Sequence, residues 1–165
     1  MELKELYDKL LAEGCNRFYI EGIGGPQDDD VDRLGMDDGI LWKVYYFERG
    51  RSGEAFFSSP DKEEAIKYYY HHVMAMQHRH LVTFTRSFEI FIFYRFTLES
   101  HGIKTIQNDI PNYSAAKDHV YRLFVVNKDI FAARELIDTV PYLDDNLKDS
   151  SMAPEPSFMI TFSEN

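Results

Sequence analysis

The sequence predicts an α+β protein, built as antiparallel sheet with packed helices in two small sandwich-like units or as one continuous sheet carrying the helices. Three observations predict it. Segments with apolar residues at helical spacing alternate with short runs rich in Phe, Tyr, Val and Ile. Gly, Pro and Asp clusters punctuate the boundaries. The whole pattern then restarts near Leu81, after a first set of elements is complete. A chain of 165 residues, 44% hydrophobic and 15% aromatic, is long enough to bury a core in each of two such units.

Taken in order, Glu2 to Glu13 repeats Leu3, Leu6, Tyr7, Leu10 and Leu11 at helical spacing, and Gly14 is a natural stop. "RFYIEGI" has strand character and runs into the breaker cluster Gly24-Gly25-Pro26. "QDDDVDRLGMDDG" is acidic and glycine-punctuated and reads as a loop. "LWKVYYFERG" and "EAFFSS" read as a hairpin turning at Arg51-Ser52-Gly53, where glycine supplies positive φ. Ser59 is the expected N-cap of the next helix, with Pro60 in its first turn and Asp61, Glu63 and Glu64 near the positive end of its dipole. Ile66, Tyr69, Val73 and Met76 form its apolar stripe, and the Trp42 hairpin face is expected to pack against it.

From Leu81, "LVTFT" is strand-like. "RSFEIFIFYRFTLESHG" is ambiguous, because its Phe and Ile favour a strand while Ser87 and Gly102 could cap a helix. "IKTIQND" and "HVYRLFVV" read as strands. "NKDIFAARELIDT" reads as a helix capped by Asn127, with Ile130, Ala133, Leu136 and Ile137 on one face and Pro141 as its stop. The expected units are residues 1–80 and 81–141. A loose tail follows over 142–165, in which Phe158 to Phe162 is the one piece able to dock as a strand.

Eighteen basic against 28 acidic side chains leave a net charge of −10. Such a surface repels nucleic-acid phosphates and favours a basic protein partner, whose approach it would speed. No apolar run reaches the roughly 20 residues of a membrane span, and the N-terminus lacks the apolar stretch of a secretory signal. The single cysteine, Cys15, excludes an internal disulfide and suits a reducing compartment. The expectation is a cytoplasmic protein with neither membrane nor nucleic acid as partner.

No catalytic pattern stands out, and no enzyme activity or cofactor is expected. Cys15 follows a helix end, away from the helix N-terminus that would lower its pKa. In "HHVMAMQHRH", His71, Met74 and His78 would share a helix face with His72 off it, without the ligand spacing of a zinc site; polar helix surface is the better account, and no metal is expected. Asp28, Asp29, Asp30, Asp32, Asp37 and Asp38 crowd one short window without the terminal Glu of a calcium loop. Two readings of that window stand: a solvated loop, or an acidic surface that docks Lys and Arg of a partner. Glu48 and Arg49 close the aromatic strand and could pair on the sheet or project at the same partner.

Two resemblances add to this. "YIEGIG", "DDGILWKVYYFERG" and "SPDKEEAIKYYYHHV", about Phe18 to Val73, resemble small α+β immunity proteins of bacterial polymorphic-toxin systems. That resemblance implies binding and neutralising a cognate toxin by occluding its active surface, with a basic nuclease best matching the charge. "LESHGI", "IQND" and "YRLFVVNKDIFAARELI", within about Leu81 to Thr139, resemble a family of putative prokaryotic signal-transducing domains. This second resemblance implies a ferredoxin-like α+β sandwich, tips Ser87–His101 towards helix, and offers the alternative function of a signalling or regulatory domain binding a small ligand.

Overall fold

The computed structural model describes residues 1–115 and 117–147, and the fold is α+β. The chain divides into two compact units, Met1–His78 and Arg79–Asn165.

In the first unit, helix α1 (Leu3–Ala12) precedes β1 (Tyr19–Ile20), β2 (Val31–Asp37), β3 (Leu41–Glu48), β4 (Arg51–Ser59) and helix α2 (Lys62–Met74). The four strands form one sheet in sequence order. β2, β3 and β4 pair antiparallel, but the two-residue β1 runs parallel to β2, so the sheet is mixed rather than purely antiparallel. α1 ends as its glycine predicts: Gly14 has φ +75°, its N–H meets Leu11 O, and Cys15 N–H meets Leu10 O, both at 3.0 Å. That pairing satisfies two of the carbonyls a helix end leaves open. Leu6 and Leu10 of α1 share a core with Phe18, Ile20, Leu34, Val44, Ile66, Tyr69 and Val73, while Leu11 turns to solvent. Trp42 is only half-buried, at the border of this core.

Three local expectations change here. The window read as an acidic loop holds β2, whose Val31 and Leu34 are buried, Leu34 within the core. The hairpin turns at Arg49-Gly50, not at Arg51–Gly53. Glu48 pairs with Arg51, and both central residues adopt positive φ (+51° and +75°), the backbone that matches strand twist in a two-residue turn. The cap of α2 is Asp61, whose carboxylate accepts Glu63 N–H at 2.9 Å; Ser59 Oγ instead accepts Asp61 N–H and donates to Glu64.

In the second unit, β5 (Arg79–Thr85), helix α3 (Phe88–Ser100), β6 (Ile106–Gln107), β7 (Tyr121–Val126), helix α4 (Asp129–Leu136) and β8 (Tyr142–Leu143) run in the order β-α-β-β-α-β, and the sheet order is β6-β7-β5-β8. Phe88–Ser100 is a helix because Ser87 Oγ accepts Ile90 N–H at 3.2 Å and Gly102, at φ +79°, closes the other end. Phe91, Tyr94 and Leu98 of α3 and Ile130 and Ala133 of α4 cover one sheet face. Phe84, Tyr113, Val120, Phe124 and Leu147 cluster on the other. Asn127 is not the cap of α4: it sits at φ +54° and the helix begins after Lys128; Leu136 stays exposed.

The stretch from Tyr142 to Leu147 is docked rather than loose. Tyr142 and Leu143 pair parallel with Thr83 and Phe84, and Leu147 is buried. Asp144 accepts Thr85 Oγ1–H at 2.7 Å and Arg86 N–H at 2.8 Å. Arg86 in turn pairs with Asp118, whose carboxyl the Ser114 hydroxyl and Arg86 hold down to about 2. The strand expected at Phe158–Phe162 lies outside the described residues.

Candidate functional site

The acidic residues singled out in the sequence are divided by the sheet. Asp28, Asp29 and Asp30 precede β2, and Val31 pairs with Phe47, so they lie beside the β3–β4 turn that carries Glu48 and Arg49. Asp32, two residues on, belongs to the same end. Asp37 pairs with Leu41 at the other end of β2, and Asp38 follows in the β2–β3 turn at φ +49°. Seven strand residues, roughly 20 Å, separate the two groups. Asp37 there faces Lys43 at 3.7 Å.

At the hairpin end most of the carboxylates have structural work. Asp29 accepts the main-chain N–H of Arg49 at 2.6 Å. Asp30 accepts the Tyr46 hydroxyl, and that hydrogen bond raises the phenol's pKa far above its ordinary value. Asp32 meets His72 Nε2 of α2 at 2.8 Å, with both side chains mostly buried. Gln27, which nothing in the sequence singled out, is buried and its amide donates to Asp29 O at 2.9 Å and Asp30 O at 2.6 Å. The loop is therefore pinned from inside by an amide and from outside by the hairpin. Asp28 is exposed, and its main-chain carbonyl is what Arg33 binds. Glu48 is exposed at the turn.

Beside this end runs an aromatic flank. Phe57 stacks on Tyr68 of α2 at 4.2 Å, Tyr68 on His72 at 6.0 Å, and Phe56 lies 5.7 Å from His72 while remaining half exposed. A register shift between Val44 and Tyr45 leaves Phe56 unpaired in the ladder and turns it beside Phe57, towards α2.

On the opposite sheet face, Arg33 lies between the rings of Tyr19 (4.0 Å) and Phe47 (3.6 Å). Tyr45 is buried there, its hydroxyl donating to Glu21, and burial followed by that carboxylate raises its pKa well above the phenol range. Glu21 Oε2 also accepts Met36 N–H at 3.2 Å, in the space a side chain on Gly35 would occupy. Glu21, Arg33 and Tyr45 were missed in the sequence, because they meet only through strand pairing.

The histidines do not form the face expected of them. α2 ends at Met74, and His78, far from being polar helix surface, is 1% exposed. Its Nδ1 accepts from Asn16 N–H (3.1 Å) and Arg17 N–H (3.2 Å), and its Nε2 donates to Val73 O (2.8 Å), which fixes the neutral tautomer. Burial lowers its pKa. Cys15 is buried with its sulfur 3.7 Å from Met74 Sδ, and burial lifts its thiol to about 11. Among the described residues no three His, Cys, Asp or Glu side chains converge as metal ligands, and no helix is long and apolar enough to cross a membrane.

What the hairpin end offers chemically is a held loop and turn with exposed charge of both signs, Asp28 and Glu48 beside Arg49 and Arg51, next to an exposed phenylalanine. The first unit holds nine Lys and Arg against sixteen Asp and Glu, a balance of −7 out of the chain's −10. No family model, curated protein or solved structure matches the chain.

Proposed function

We propose that the chain is an immunity protein, which binds a cognate basic toxin and neutralises it by covering the toxin's active surface. The observation that carries this reading is the hairpin end of the first sheet. Asp28 and Glu48 are exposed there on a loop and a turn that Gln27, Asp29 and Asp30 hold in place. Occlusion asks for a pre-ordered surface with charge complementary to the partner and an apolar anchor, and no reacting group. Phe56, half exposed on the adjacent strand, supplies the anchor. The acidic excess of this unit fits a cationic partner such as a nuclease-type toxin, whose own substrate is an anion.

The test is co-purification with the product of the neighbouring reading frame, followed by binding kinetics and an assay of that product's toxicity. The double change Asp28→Asn, Glu48→Gln should slow association and flatten its dependence on ionic strength, because rim charges act chiefly on encounter. Phe56→Ser should instead speed dissociation. A partner that binds at unchanged rate in low salt when both changes are made, or that stays toxic when bound, would sink the reading.

A further inference from the structure

Helix α3 buries Phe91, Tyr94 and Leu98 and turns a second apolar set outward: Ile92 is 39% exposed, Phe93 57% and Phe96 72%, with Phe88 55% exposed beside them. A surface helix ordinarily carries charge on the face away from its core. Here Arg95 and Glu99 border the outer face and pair with each other at 3.2 Å, and Glu89, exposed in the first turn, is the charge that stands in line with Phe93 and Phe96. With roughly 200 Å² for each phenylalanine, the three Phe side chains leave about 370 Å² of apolar surface in water. That is the scale at which a patch has a function.

We propose that this face is a homodimer interface, in which α3 packs antiparallel against α3 of a second copy of the chain. The face is self-complementary in the way a two-fold contact requires. Phe96 projects one turn beyond Ile92 and Phe93, so a two-fold axis between them seats each Phe96 in the notch that Ile92 and Phe93 form on the other helix. Two such faces, fully covered, would remove about 700 Å² of phenylalanine surface, and Ile92 and the polar rim would add to it, which approaches the ~1,000 Å² that a specific contact needs. Charge allows it as well, since residues 79–165 hold nine basic against twelve acidic side chains, so copies meeting on this unit repel far less than they would on the first. The inference stands apart from the toxin-binding reading, which concerns the other unit.

Sedimentation equilibrium of the full chain across about 1–200 µM, a range that brackets micromolar affinity, tests it. The mass should rise from 19.4 kDa towards twice that value. The double variant Phe93→Ser, Phe96→Ser should weaken self-association at least about tenfold, with far-UV circular dichroism unchanged, and with melting temperature unchanged at concentrations where the wild type is monomeric, because both side chains are exposed. Ile92→Gln, a milder change, should weaken it in the same direction. Phe56→Ser, at an exposed phenylalanine of the first unit, should leave it unchanged. A wild-type chain that stays monomeric throughout overturns the proposal, as would a dimer sensitive to Phe56→Ser and indifferent to the α3 variants.

Discussion

Asp29 accepts the main-chain N–H of Arg49 at 2.6 Å, tying the loop before β2 to the tip of the β3–β4 hairpin twenty residues away. Arg49 is in the left-handed region, φ +51°, so its N–H points away from the ladder and needs this acceptor. The consequence is a division of labour among three adjacent aspartates. Asp29→Ala should cost about 0.5–1.5 kcal/mol, the net worth of a hydrogen bond whose donor water can reach. Asp30→Ala should also destabilise, through loss of the acceptor of the Tyr46 hydroxyl. Asp28→Asn should stay within about 0.5 kcal/mol, since its exposed carboxylate holds nothing in the fold. Urea unfolding of the three single variants reads this directly, and equal effects at all three positions would refute it.

That relationship also marks what the sequence could and could not disclose. Two helix ends were legible because they are local: Gly14 and Gly102 each close a helix within two residues, whereas the caps of α2 and α4 were not. The α+β class followed from the alternation of periods. β2 was not legible, because Asp and Gly disfavour strands and what holds "VDRLGMD" is remote: seven ladder partners on β3, and His72 from α2 against Asp32. The acidic loop was therefore read as one feature when the sheet splits it into two ends. His78 was misplaced for a related reason. Its segment was read as continuing helix, while the chain leaves the helix at Ala75 and folds the imidazole back onto the Asn16 and Arg17 amides.

Two glycines, Gly25 and Gly53, should respond very differently to a methyl group. A Cβ on Gly25 would stand 2.1 Å from Phe18 O and 2.7 Å from Tyr19 Cα, both backbone. Gly25→Ala should therefore displace β1 and destabilise by about 2–3 kcal/mol, as overpacking does. Gly53→Ala meets nothing closer than 3.4 Å in an exposed part of β4 and should be neutral or mildly stabilising. Thermal melts of both variants check the contrast, which fails if Gly53→Ala proves as costly as Gly25→Ala.

The thiol of Cys15 should be inert in the folded protein. Burial raises its pKa to about 11, so little thiolate exists at pH 8, and its sulfur lies against Met74. Reaction with a chromogenic disulfide reagent should be slower than for a free cysteine by about a hundredfold or more, with roughly two and a half pKa units of lost thiolate contributing most of that factor. In denaturant the rate should return to that of an exposed cysteine. Fast native-state labelling would mean that the α1–α2 core opens readily.

His78 gives the first unit a pH dependence of known sign. Burial lowers its folded-state pKa below the ordinary 6.5, and the neutral ring is the form that accepts two backbone N–H groups at Nδ1. Protonation would place a donor where both amides already donate. Between the lowered folded value and 6.5 the unfolded chain binds more protons than the folded one, so stability rises with pH across that window. The contribution of His78 is fully present above about pH 6.5 and is lost as the pH falls through the folded-state value. His78→Asn should cost stability at pH 7.5, because the smaller amide leaves a void and cannot serve Val73, Asn16 and Arg17 together. It should also remove the part of the decline between pH 6.5 and 5 that belongs to this ring. Urea midpoints of both proteins over pH 5 to 7.5 decide the matter. If the two curves run parallel, the acid sensitivity of the unit arises elsewhere, and His72 beside Asp32 becomes the next residue to substitute.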